Sequence, residues 1–190
     1  MDVSVRELTP ALLPRWLAFF DGPAFADNPD WGSCYCRCFR FDGGLDAWDA
    51  ACASGENRRE MSAAIAAGRV SGALAFDGEA PVGWVQFGSR TDFRHPAIAA
   101  CPVDDADAVG SIVCFVVAAT HRRRGVAGAL LRAACDALAR RGLSIAEAYP
   151  DRDGAEHRFM CGPLEMYAAE GFAAFRELPK RVVLRKRLAP

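Results

Sequence analysis

Hydrophobic and polar positions along the chain follow two periods, and the points where one gives way to the other mark its elements. Residues 111–119 (SIVCFVVAA) are almost entirely apolar, which predicts a strand buried on both faces. Immediately downstream, Val126, Leu130, Ala134 and Leu138 recur every fourth position, predicting a helix over 125–141 with one apolar face, stopped by Gly142. Two apolar runs, 72–76 and 81–88, flank Asp77-Gly78-Glu79 and read as a β-hairpin. Val3, Val5 and Arg6-Glu7-Leu8 suggest a first strand, followed by a helix over 10–20 with Thr9 as its N-cap. A helical region over 45–68 ends at Gly68, a residue suited to the position after a helix. Towards the C-terminus the pattern predicts a strand at 145–149, a short helix at 162–170 and a closing pair of strands at 172–178 and 182–188.

Two segments lack periodicity. Residues 21–32 are rich in Asp, Asn, Pro and Gly and read as a loop, and residues 89–110 read as a long functional loop. The resulting fold class is mixed α/β (α+β), with hairpins and one parallel crossover, in a single domain over 1–190. Its 190 residues are 52% hydrophobic and 25% charged, enough for one domain with its own core. The net charge of −1 supplies no global field for nucleic acid or an anionic membrane, so any anion site must be local. Neither a spanning apolar run nor a secretory signal is legible, and a soluble, cytoplasmic protein with reduced cysteines is the expectation.

Chemistry concentrates at Arg122-Arg123-Arg124-Gly125-Val126-Ala127-Gly128, where the buried strand meets the helix. The first turn of a helix offers unpaired N–H groups and a partial positive charge. Gly125 permits a tight turn there, and Ala127 and Gly128 carry no bulk to keep a ligand away. Phosphate binding is physically expected at such a place. Neither a P-loop nor an early G-x-G-x-x-G is present.

This segment resembles the signature of the GCN5-related N-acetyltransferase (GNAT) family, R/Q-x-x-G-x-G/A after a buried strand, matched by Arg122-x-x-Gly125-x-Ala127. Glu147-Ala-Tyr-Pro150 follows, and Tyr167-Ala-Ala-Glu-Gly171-Phe172 is similar to the family's Tyr-x-x-x-Gly-Phe. The resemblance implies a mixed, mostly antiparallel sheet, flanked by helices, that splays between strands 111–119 and 144–150. Acetyl-CoA, the implied co-substrate, would enter that gap. Its pyrophosphate would rest on the amides of Arg122, Arg123, Arg124, Gly125, Val126, Ala127 and Gly128, and its pantetheine arm would pair with Phe115, Val116 and Val117. A primary amine of a small molecule or peptide would attack the thioester directly in a ternary complex. The resemblance assigns the Val117 N–H to the oxyanion, a donor worth about 2.7–4 kcal/mol, and Tyr167 to protonation of the leaving thiolate. Tyr167 also reads as a core aromatic beside Leu164. Glu147 is the favoured general base, with Asp92, His95, Asp104, Asp105 and Asp107 as other candidates. Another acyl donor, or a non-catalytic acyl-CoA-binding or zinc-thiolate module, is the alternative, and a homodimer stays open.

Cys34, Cys36 and Cys38 alternate along a segment expected to be extended, which would point all three to one face. C-x-C-x-C lacks the usual zinc-ligand spacing, so no metal is expected and thiols lining a pocket or core are the plainer reading. Cys114 reads as an inert buried thiol. Trp31, Tyr35, Phe39, Phe41 and Trp48 fit core packing or one wall of an amine site. The basic run from Lys180 to Arg187 reads as the solvated face of an edge strand.

Overall fold

The computed structural model describes residues 3–152 and 161–189. Seven strands form one sheet in the order β1-β2-β3-β4-β5-β7-β6. They are β1 (Ser4–Glu7), β2 (Gly72–Asp77), β3 (Ala80–Ser89), β4 (Val109–Val117), β5 (Ile145–Ala148), β6 (Ala173–Glu177) and β7 (Val182–Arg187). Neighbours run antiparallel except β4 and β5, which are parallel. The 3.6-residue pattern after β4 supplies the crossover that a parallel pair requires, as helix α5 (Val126–Arg140).

Helices cover both faces. The four positions Val126, Leu130, Ala134 and Leu138 are all buried, as their spacing predicts, against Ala73, Ala75, Val85 and Ile112. Gly110 lets α5 approach closely, since a Cβ there would lie 2.5 Å from Leu138 Cδ2. The opposite face is covered by α1 (Leu13–Phe20) and α3 (Glu56–Ala66), which place Trp16, Phe19, Phe20, Met61 and Ile65 against Trp84, Val113, Cys114 and Val116.

Several boundaries differ from the sequence expectation. The first helix opens with a 3₁₀ turn over Pro10–Leu12, and Thr9 makes no side-chain cap. The region 45–68 is two helices, α2 (Leu45–Ala53) and α3, because Gly55 at φ +69° breaks the run. The segment 89–110 carries a short helix, α4 (Pro96–Ala99), and gives up its last two residues to β4. The basic run is not an edge: β7 lies between β5 and β6, and Val183 and Leu184 are buried. Its Arg185 points inward to carboxylates, whereas β6 is exposed along its length and forms the edge.

Candidate active site

The centre of the sheet is a fork. β5 pairs with β4 only from Val109↔Ile145 to Ile112↔Ala148. On the other side, β3 pairs with β4 on both sides of a register shift, with Phe87 opposite Ile112 and Gln86 opposite Cys114. Val113 is therefore the extra residue of a β-bulge. Val113 and Cys114 consequently face the same core, while Ile112 and Phe115 face the other. A bulge bends its strand and increases the local twist, and here it coincides with the end of β4–β5 pairing. Beyond it, the segment 113–117 has no partner strand on its β5 side among the described residues. The Ala118 N–H donates to Val82 O at 3.0 Å. The alternation of a strand then turns the N–H groups of Phe115 and Val117 the other way, into the gap.

Tyr167 stands at the fork. It lies on α6 (Leu164–Ala169), is fully buried, and packs edge-on against Phe115 and Phe172, with ring centroids 6.3 and 5.3 Å apart. Its hydroxyl donates to the carbonyl of Cys161, whose thiol donates to Val113 O at 3.3 Å. Burial raises the Tyr167 pKa well above that of a free phenol, so the proton stays on the oxygen.

Glu147 is fully buried on the opposite face, and both of its oxygens are engaged. Oε1 accepts from Arg90 Nε at 2.9 Å and from the Tyr149 hydroxyl at 2.5 Å, and Oε2 accepts from Arg185 Nε at 2.6 Å. Ser111 Oγ lies 2.7 Å from the Tyr149 hydroxyl. Since that hydroxyl donates to Glu147, Ser111 donates to it. Arg90 also donates to the carbonyls of Ile98 and Cys101, at 2.8 and 2.5 Å, and Arg185 clasps Asp105 at 2.8 and 3.1 Å. Among the other carboxylate and imidazole candidates, Asp105 is thus in an ion pair. The His95 Nδ1 caps α4 by accepting from the Ala97 N–H, and its ring stacks on Phe39.

At the far end of the open segment the chain turns into α5 through two left-handed residues, Arg123 at φ +58° and Gly125 at φ +81°. Such alternation curls successive N–H groups into a concave nest. The first α-helical bond, from the Ala129 N–H to Gly125 O at 3.0 Å, leaves the preceding N–H groups of the helix pointing outward. A Cβ at Gly125 would meet open space, so the left-handed backbone is what demands glycine there. The Arg122 guanidinium turns away from the nest, donating to Val117 O at 3.0 Å and to both oxygens of Asp27 at 2.5 and 3.0 Å.

On the Cys114 side of β4 lies a cavity of about 250 Å³, lined in part by Phe25, Asp30, Trp31, Trp48 and Val116 together with Cys34, Cys36, Cys38, Cys52 and Cys114. The C-x-C-x-C segment is not extended. It leaves a 3₁₀ turn (Pro29–Cys34) through Tyr35 and Cys36, both left-handed at φ +46° and +54°. The three thiols are gathered by this curl rather than by strand alternation. Among the described residues, no group of three or more His, Cys, Asp or Glu is arranged to hold a metal ion.

The family model described as "Acetyltransferase (GNAT) family" matches residues 33–162, more than half of the chain. The chain belongs to the GNAT acetyltransferase family. A search of curated proteins returned no match. Solved structures share the GNAT fold at low identity. PaiA N-acetyltransferase of Thermoplasma acidophilum, in complex with coenzyme A, superposes with a TM-score of 0.60 at 10% identity, over 98% of this chain and 99% of that one. Ribosomal-protein-alanine N-acetyltransferase of Brucella melitensis gives 0.58 at 15% identity, over 97% and 99%. yncA of Salmonella typhimurium, with its cofactor acetyl-CoA, gives 0.53 at 13% identity, over 98% and 94%. Within this GNAT fold, sequence reasoning missed Arg90, Tyr149, Cys161, Arg185 and Asp27. Only the Glu147-x-Tyr149 spacing, which puts both side chains on one face of a strand, offered a signal for any of them.

Proposed function

We propose that this GNAT enzyme transfers an acetyl group from acetyl-CoA to a primary amine. The observation that carries the reading is the continuity of the open β4 segment with the N–H nest at the start of α5. A strand edge suits an amide-bearing arm, and a helix start with left-handed neighbours suits a pyrophosphate. Arg123 to Gly128 would supply the nest, Phe115, Val116 and Val117 the edge, and Arg122 would brace the turn through Asp27 rather than meet the anion. The bound co-substrate supplies an activated thioester.

The N–H of Val117 faces the gap and is the donor we assign to the developing oxyanion. Tyr167, buried at the fork with its proton retained, is the acid we assign to the departing sulfur. Glu147 we read as a positioning residue. Two arginines and a tyrosine already occupy its oxygens, and its work is to tie β5 to the segment between β3 and β4. The acceptor would enter by the cavity against Cys114 and Val116. Its volume admits a side-chain-sized amine, Asp30 attracts an ammonium, and Trp31 and Trp48 provide faces for it.

Calorimetric titration with acetyl-CoA tests the donor site. Micromolar binding by the wild type and its loss in Gly125→Asp, whose carboxylate would repel the pyrophosphate, is the expected result. Absence of binding by well-folded wild-type protein would overturn the assignment. Thiol release from acetyl-CoA across a panel of amines then tests the acceptor class.

A further inference from the structure

Two of the five cysteines that line the cavity beside β4 touch each other. The sulfurs of Cys36 and Cys114 lie 2.6 Å apart, across 78 positions of sequence. The sulfurs of a formed disulfide are about 2.05 Å apart, so a small approach separates this contact from a covalent bond. Both residues are buried, yet both line the cavity of about 250 Å³, which a molecule as small as hydrogen peroxide can enter. Cys114 has no cysteine close to it in sequence, and the fold supplies one.

The two cysteines belong to different parts of the fold. Cys114 follows the bulge at Val113, on the segment of β4 that has no partner strand on its β5 side among the described residues. Cys36 lies between α1 and α2 and is the second of two left-handed residues, after Tyr35. Such backbone is costly for residues that carry a side chain, and it persists only where the surroundings hold it. The Tyr35 hydroxyl donates to Asp21 at 2.7 Å, and Arg37 Nη1 donates to Glu56 at 2.8 Å and to Asn57 at 3.0 Å. These bonds tie the curl to the end of α1 and to α3. The sulfur contact ties it to the sheet.

We propose that Cys36 and Cys114 are an oxidation site that closes to a reversible disulfide, fastening the curl at Tyr35 and Cys36 to the open segment of β4. The oxidant is a hydroperoxide small enough for the cavity. One sulfur of the pair loses its proton and attacks a peroxide oxygen, and the O–O bond breaks. With hydrogen peroxide the displaced hydroxide takes up a proton and leaves as water, and the sulfur becomes a sulfenic acid. The second sulfur, already in contact, gives up its proton and attacks the first; the S–O bond breaks, and a second water leaves. Overall, two thiols are oxidised to one disulfide as one peroxide is reduced to two waters. Burial holds the Cys36 thiol above its ordinary range, and the contact with Cys36 does the same for Cys114. Closure is accordingly slow, a durable change of state rather than rapid peroxide turnover. The bridge requires neither acetyl-CoA nor an acceptor, so its test is separable from the acetyltransferase reading.

The experiment incubates the reduced full-length protein with one molar equivalent of hydrogen peroxide and measures intact mass, followed by trypsin digestion and fragmentation of the peptides. A Cys36–Cys114 bond joins the peptide spanning residues 16–37 to the peptide spanning residues 95–122. These peptides also carry Cys34 and Cys101, and fragmentation distinguishes the sulfurs. The expected result is loss of two hydrogen masses, reversed by dithiothreitol, with the link assigned to Cys36 and Cys114. Cys36→Ser and Cys114→Ser should each abolish it, and Cys34→Ser and Cys38→Ser should leave it in place. Because the bridge closes a long loop, the oxidised wild type should melt about 5–10 °C above the reduced protein. The wild-type digest decides the link even if a variant fails to fold. A link through Cys34, Cys38 or Cys101, no intramolecular link in folded protein, or a melting temperature unchanged by oxidation would overturn the proposal.

Discussion

Arg90 and Glu147, 57 positions apart in sequence, meet through a hydrogen bond of 2.9 Å in the interior, where the carboxylate has no solvent exposure. Arg185 reaches the second oxygen, so one buried carboxylate is shared by two guanidinium groups. Removing one member of a buried ion pair leaves an uncompensated charge and costs about 3–5 kcal/mol. Glu147→Ala should lower unfolding free energy by that order in a urea titration. Glu147→Gln, which keeps one acceptor oxygen, should cost less. A Glu147→Gln protein of wild-type stability that had lost turnover would instead identify this residue as the proton acceptor.

Gly125 sits at φ +81° with open space where a Cβ would go. Gly125→Ala should therefore cost about 1–2 kcal/mol in stability from backbone conformation alone. Its effect on donor binding should be modest, since the methyl group meets no neighbour. Gly125→Asp should add charge repulsion and weaken acetyl-CoA binding about a hundredfold or more, a loss of at least ~2.7 kcal/mol. Equal weakening by the two substitutions in calorimetry would show that the turn, not the anion, is what was damaged.

Tyr167→Phe removes one hydroxyl from a fully buried position. The hydrogen bond to the Cys161 carbonyl is lost, for about 1 kcal/mol of stability. If Tyr167 protonates the leaving sulfur, kcat should fall about a hundredfold with KM nearly unchanged. Stopped-flow or steady-state thiol release measures both. A kcat within twofold of wild type would restrict Tyr167 to packing against Phe115 and Phe172.

The His95 imidazole is pushed down to about 4, first by burial and then by the charge of Arg181, from its ordinary 6.5. Between these values the unfolded chain binds a proton that the native protein refuses, so stability falls as pH drops through this window. Above 6.5 the contribution is complete and constant. His95→Asn retains a side-chain acceptor for the Ala97 N–H that His95 caps. The difference in melting temperature between wild type and this variant should be flat above neutrality. It should move against the wild type between pH 6.5 and pH 4. A difference independent of pH over this interval would refute the assignment.

The elements of the sheet were legible because their periods are strong. The unbroken apolar run of β4, the four-residue spacing of α5 and the turn at Gly78 each carry their own signal. The turn into α5 was legible for the same reason, since glycine spacing and element order coincide there. Arg90 was not, because it lies in a segment without periodicity and acts through a partner on a strand far away in sequence. Nor was the curl at Tyr35 and Cys36: neither is a glycine, and left-handed φ at such residues is fixed by tertiary contacts, not by local preference. Arg185 misled for a related reason. An alternating basic strand has the same pattern whether its charges meet water or buried carboxylates.

Val113 also sets the parity of β4. With the extra residue absorbed there, odd and even positions exchange roles across it, so that Ser111 and Cys114 open onto one side while Ile112 and Phe115 open onto the other. An alignment or redesign that treats the strand as regular would miscount by one. It would exchange the linings of the two chambers, giving aromatic rings to the thiol cavity and thiols to the tyrosine. The identity of each chamber thus depends on the length of a strand, independently of any residue that lines it.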